Sequence, residues 1–152
     1  MTKLIKRKEI ENIFLPIRQN GKDIWLIHKV KELPNEFVNM AIRLSSLDFI
    51  QHIRLTVDSI TASSEVEGKR IKVPVTKPDH PTATGIKIYY HKSYKMIDFD
   101  EINSPTKGNG HKMVDAVFAD FPKDWQAAVG MDWSDGFWDK MKEKYETIEW
   151  IM

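Results

Sequence analysis

Apolar positions along this chain recur with two different periods, and the alternation between them predicts the elements. Residues 5–15 carry a short helical pattern. DIWLIHKV (23–30) reads as a strand. From Asn35 the spacing becomes helical through Phe37, Val38, Ala41, Ile42 and Leu44, then Leu47, Phe49, Ile50 and Ile53. Pro34 stands where proline opens a helix well. The segment reads as one long helix or as two, broken near Ser45-Ser46. Extended stretches follow at LTVDSI (55–60), RIKVPV (70–75) and GIKIYYH (85–91). Between Thr76 and Thr84 two prolines and no apolar period predict a mobile surface loop.

The last third is more regular. YKMIDFDEI (94–102) alternates as a strand, with Met96, Asp98 and Asp100 on one face and Ile97, Phe99 and Glu101 on the other. SPTKGNG is a turn. Met113, Val114, Val117, Phe118 and Phe121 then share one side of a helix over 109–121, with Pro122 at its end. QAAVGMDW (126–133) predicts a buried strand. Ser134 is placed to cap a helix whose apolar side is Phe137, Trp138, Met141 and Tyr145, and ETIEWIM closes as a strand. Strand, helix, strand, helix, strand is an α/β signature, and the length is that of one domain over residues 1–152.

Composition narrows the chemistry. A net charge of +1 gives no field for nucleic acid or an anionic membrane. The absence of cysteine removes disulfides, thiolate nucleophiles and cysteine metal sites. MTKLIKRKEIENIF holds no apolar run of the signal-peptide kind, and no stretch approaches the ~20 apolar residues of a membrane span. The expectation is a cytoplasmic protein without a membrane partner; a homodimer is compatible with it. Lys6, Arg7 and Lys8 are followed by Glu9 and Glu11 and read as a solvated helix face. The five histidines are scattered without metal-ligand spacing, and no Gly-x-Ser-x-Gly elbow occurs, so neither a metal site nor a serine hydrolase is expected.

The glycines of SPTKGNGHKM carry the strongest signal. The first-turn amides of a helix lack internal partners and the helix dipole adds positive charge there. Glycine lets an anionic ligand reach that backbone without meeting a Cβ. Lys107 and Lys112 flank Gly108 and Gly110, and His111 sits among them. A Walker loop and the three-glycine dinucleotide fingerprint are both absent.

The run KGNGHKM, between a strand and a helix, resembles the acyl-CoA loop of the GNAT superfamily of N-acetyltransferases. FWDKMKEKY (137–145) resembles the segment on that family's following helix. The resemblance covers residues 85–152, the acyl-CoA-binding half; residues 1–84 leave room for an N-terminal half without a specific match. It departs from the family pattern at Pro105, where a Gln or Arg is usual, at Trp138, where a tyrosine general acid is frequent, and in ending after one strand.

What the resemblance implies is an α/β fold with a GNAT-like mixed central sheet flanked by helices, in which strands 94–102 and 126–132 lie parallel and splay apart at one end. Acetyl-CoA would serve as co-substrate, held by Ile102, Asn103, Ser104, Lys107, Gly108, Asn109, Gly110, His111 and Lys112. The acceptor would be a small-molecule or protein amine. Direct attack on the thioester needs a base and an acid. Asp98, Asp100, Glu101 and Asp132 are the available carboxylates; Ser134 and Tyr145 are the available hydroxyls. The alternatives are a catalytically inactive GNAT-like module that binds CoA or a protein, and an unrelated phosphate- or nucleotide-binding α/β protein.

Overall fold

A computed structural model describes residues 3–130 and 136–151. The elements in chain order are β1 (Leu4–Lys6), α1 (Arg7–Gln19), β2 (Asp23–Leu26), β3 (Glu32–Pro34), α2 (Asn35–Ser45), β4 (His52–Leu55), β5 (Ser59–Ser63), β6 (Val66–Glu67), β7 (Val73–Pro74), β8 (Gly85–His91), β9 (Met96–Asn103), α3 (Asn109–Phe118), β10 (Gln126–Val129), α4 (Phe137–Lys144) and β11 (Glu149–Ile151). The main sheet has seven strands in the order β11-β10-β9-β8-β5-β4-β2. It is mixed. β2 is parallel to β4, β9 to β10 and β10 to β11, and the central pairs are antiparallel. The expected parallel neighbours, β9 and β10, are thus adjacent and joined through α3.

One face of this sheet is apolar from edge to edge. The row Leu26, Leu55, Ile60, Ile88, Phe99 and Val129 runs across six strands in register. These residues belong to one core with Ile10 and Phe14 of α1, Phe37 and Leu44 of α2, Met113 and Val117 of α3, and Trp138 and Met141 of α4. A helix hides its apolar stripe only against another such surface, which is why the four helices of the described residues join this one core. The opposite face is polar, with Arg54, Thr61, Lys87 and Glu101 in one cross-strand row and Tyr89 beside Asp98 in the next.

The N-terminal half differs most from what periodicity predicts. LTVDSI is two strand ends with a turn between them: Ser59 and Thr56 close it through Thr56 N–H to Ser59 O at 3.0 Å, and the Thr56 and Ser59 hydroxyls meet at 2.6 Å. The β-branched residues mimic a strand, but Val57 is exposed. Only Val73 and Pro74 of RIKVPV are extended, and DIWLIHKV pairs only through Leu26. α2 ends at Ser45, no second helix follows it before β4 among the described residues and Ile53 lies in β4, so neither the one-helix nor the two-helix reading of residues beyond Ser45 holds.

Arg7 is not part of a solvated face. Its guanidinium donates to the carbonyls of Ile27 (2.7 Å), Val30 (2.9 Å) and Leu26 (3.2 Å), tying the end of β2 to the start of α1. Lys22 acts similarly after α2, donating to Leu47 O at 2.9 Å and Ile50 O at 2.6 Å, with burial lowering its ammonium below the usual range. Such bonds from charged donors are the stronger class, and removing the donor orphans half-buried carbonyls. Arg7→Ala is expected to cost about 2 kcal/mol, and Arg7→Lys to recover less than half of it; urea denaturation of the two variants measures both.

Candidate functional site

The site is built where two strands stop running together. The β9–β10 register extends from Met96–Gln126 to Phe99–Val129, and the Gly130 amide donates to the Phe99 carbonyl at 3.0 Å. β9 continues four residues further, to Asn103. Against this extension, α3 and α4 both begin. Their N-caps are glycines, Gly108 (φ +94°) and Gly136 (φ +85°), each in the left-handed conformation that glycine adopts without penalty. Neither glycine can cap its helix with a side chain, and among the described residues α3 has no acidic residue in its first turn to neutralise the dipole.

A cavity of about 510 Å³ opens between these elements, within the range of small-molecule sites. Ile102, Asn103 and Ser104 line it from the end of β9; Thr106, Lys107, Gly108, Gly110 and His111 from the loop and α3; Phe137, Trp138 and Lys140 from α4; and Pro78 and Asp79 from the 76–84 segment. Its character is split. Lys107 and Lys140 are exposed cations at the rim, while Ile102, Phe137 and the almost fully buried Trp138 are apolar. His111 stacks edge-on to Phe137 (5.3 Å between centroids), Phe137 to Trp138 (5.1 Å), and Trp138 lies 4.9 Å from Phe99. Gly110 is needed for close packing. A Cβ there would lie 3.0 Å from Phe137 Cε1.

Of the ligand-binding residues expected from sequence, Asn109 and Lys112 do not line the cavity, and the other seven do. Asp132, Ser134 and Trp133 lie outside the described residues. Tyr145 is turned away: its hydroxyl donates to Asp115, which also accepts from Lys144 at 2.8 Å, and its ring packs on Phe118. Burial, then Asp115, push the tyrosine hydroxyl well above its ordinary range.

The carboxylates of β9 are arranged differently from strict alternation. Glu101 pairs with Lys87 and Phe99 with Ile88, so Asp100 is an extra residue, a β-bulge. The bulge returns Glu101 to the polar face that holds Asp98, instead of the opposite one. Glu101 accepts from the Thr76 hydroxyl at 2.7 Å. Burial lowers the Lys87 ammonium, but Tyr89, Asp100 and Glu101 outweigh it and the net displacement is upward. Asp98 is raised by burial, opposed by His91 at 3.9 Å and reinforced by Asp100. None of Asp98, Asp100 and Glu101 lines the cavity.

Sequence reading did not find Pro78, Asp79, Phe137 as a lining ring, or Lys140. The 76–84 segment has no helix or strand, in keeping with the expected surface loop, and it lines the cavity through Pro78 and Asp79 while bonded to Asn103. Asn103 Oδ1 accepts from the Asp79 amide (3.1 Å), and its Nδ2 donates to His80 O (2.9 Å) and Ala83 O (2.7 Å). The available signal was an asparagine at a strand end with a P-D-H-P turn elsewhere, and only the fold joins them.

Comparison with protein-family models, with curated proteins and with solved structures finds no match. Among the described residues, no helix is long and apolar enough to cross a membrane and no group of three His, Asp or Glu could hold a metal ion.

Two outcomes follow for stability. Gly108→Ala meets no neighbouring atom but must hold a positive φ, at about 1 kcal/mol; Gly110→Ala displaces Phe137 and is expected to cost about 1–3 kcal/mol, both read by thermal denaturation. Asp98 binds its proton more tightly folded than unfolded, so its charge costs stability as pH rises through its titration and the cost is absent in acid. Asp98→Asn is therefore expected to raise the melting temperature at neutral pH, with the gain shrinking as pH falls through the carboxylate range.

Proposed function

We propose that this chain is an acyl-CoA-dependent N-acyltransferase that transfers an acetyl group to a primary amine by direct attack on the thioester. The observation that carries the proposal is the cavity at the end of the β9–β10 register. The glycine-led N-termini of α3 and α4, with Lys107 and Lys140, surround its rim, and Trp138 and Ile102 line its interior. An acyl-CoA has that division of character: a pyrophosphate suited to first-turn amides and lysines, and a less polar arm suited to the gap where β9 outruns β10. The KGNGHKM resemblance and the parallel β9–β10 pair, with α3 between them, support the same reading and a GNAT-like fold.

In this proposal the thioester lies at the strand gap and the amine approaches from the polar sheet face. There the bulge at Asp100 collects Asp98, Asp100 and Glu101 beside the gap. A carboxylate takes one proton from the ammonium, the amine nitrogen attacks the acyl carbon, and the carbon–sulfur bond breaks as the nitrogen gives up its second proton, which passes through solvent to the departing CoA thiolate and leaves the amide and the free thiol. Strand-end amides near Ile102–Ser104 stabilise the oxyanion.

A specific observation favours a second reading, a CoA-binding or interaction module without turnover. Asp100, Glu101 and Tyr145 do not line the cavity, and Tyr145 is committed to Asp115.

Acetyl-CoA is expected to raise the melting temperature of the protein by mass action. Lys107→Glu/Lys140→Glu, at two exposed positions, should leave the fold intact and weaken binding at least about tenfold. Amine-dependent release of free CoA that a Asp98→Asn/Asp100→Asn/Glu101→Gln variant suppresses supports the enzyme. Binding without such release across a broad amine panel supports the module, and no binding at all rejects both.

A further inference from the structure

The wall of the cavity is held by a histidine whose hydrogen bonds require it to be uncharged. His80 Nδ1 accepts from two backbone amides, Thr82 at 3.2 Å and Ala83 at 2.9 Å, folding the 80–83 turn around its own side chain. Asparagine and aspartate make this local closure with Oδ1, the atom that Nδ1 replaces. The same turn offers the His80 and Ala83 carbonyls to Asn103. Its preceding residue, Asp79, holds a left-handed φ of +66°, donates its amide to Asn103 Oδ1 and lines the cavity. Beyond the turn the segment is anchored at both ends, by Thr76 on Glu101 and by Thr84 against Ser64. The middle is held by the His80 and Asn103 side chains and by one backbone bond, from the His80 amide to the Lys77 carbonyl at 3.3 Å.

We infer that residues 77–83 form a pH-dependent strap over the cavity mouth, with neutral His80 closing the turn and Asn103 as the positioning residue that seats it. A protonated Nδ1 cannot accept a hydrogen bond and faces two N–H donors. The strap is therefore seated while His80 is neutral and is released as pH falls. The charged groups on the elements around the strap are Lys77 and Asp79 on the strap, Glu65 where Val75 bonds, Glu101 on β9, and Lys107, His111 and Lys140 across the cavity. His111 is a second imidazole on the cavity wall, so the ligand arm is read in a His111→Gln background.

The strap is tested without ligand and its consequence with one; the second arm rests on the acyl-CoA reading, the first does not. Amide exchange at Thr82 and Ala83, corrected for intrinsic rate, is followed in the ligand-free chain at about pH 7.5 and about pH 5.5. Protection is expected to fall about tenfold or more in acid, the equilibrium effect of losing one to two net hydrogen bonds. His80→Asn, with a pH-independent acceptor, should keep protection at both values; His80→Ala and Asn103→Ala should lack it at both. Protection in His80→Ala equal to the native chain, or a native chain indifferent to pH, overturns the strap. In a His111→Gln background, acetyl-CoA should bind several-fold more weakly at the lower pH, and adding His80→Asn should remove that dependence. A pH dependence that survives His80→Asn overturns the strap's role at the cavity. If acetyl-CoA binds at neither pH, the ligand reading falls and the amide arm alone decides the strap.

Discussion

Phe99 is the residue on which the candidate site depends. Its ring is nearly fully buried and packs on Phe118 of α3 (5.5 Å), Trp138 of α4 (4.9 Å) and Trp150 of β11 (6.4 Å). Aromatic contacts of this kind bury large areas at fixed geometry, so one side chain sets where both helices sit on the sheet. Its backbone has a second role. Phe99 is the last β9 residue in register with β10, and the next residue, Asp100, is the bulge. Packing above the sheet, the end of the strand pairing and the change of face in β9 therefore coincide within two residues. The cavity is the space this coincidence leaves.

From that point the electrostatics follow. The two helices that Phe99 anchors present their N-termini to the same volume, and the loop and α4 add Lys107 and Lys140. The bulge puts Glu101 on the polar face with Asp98, and none of Asp98, Asp100 and Glu101 lines the cavity with the two lysines. Asn103 and His80 supply the remaining wall from a segment distant in sequence. Each part is ordinary; their placement around one gap is what the acyl-CoA proposal rests on.

The C-terminal half was legible because its signals are local. GIKIYYH is β8 over the same residues, the glycine turn begins α3 where the amides were expected, and the α4 face of Trp138 and Met141 is the buried one. The sequence could not display the bulge, because one extra residue leaves the composition of a strand unchanged while reversing the face of all that follows. Nor could it display the strap, whose order comes from Asn103 across about twenty positions of chain. In the first half, Arg7 and Lys22 resemble surface cations until the fold brings carbonyls to them. Thr56, Val57 and Asp58 have the look of a strand but form its turn because Thr56 can close on Ser59. Local pattern failed wherever a long-range hydrogen bond decided the conformation.

The most direct measurement is to follow backbone amide resonances while titrating the ligand-free protein with acetyl-CoA. The account predicts that the largest shifts fall on Gly108, Gly110 and His111, with Phe137 and Lys140 moving in step as the cavity fills. Saturable shifts confined to the helix-free face, at residues such as Thr61 and Tyr89, with Gly108 to His111 unmoved, would contradict it.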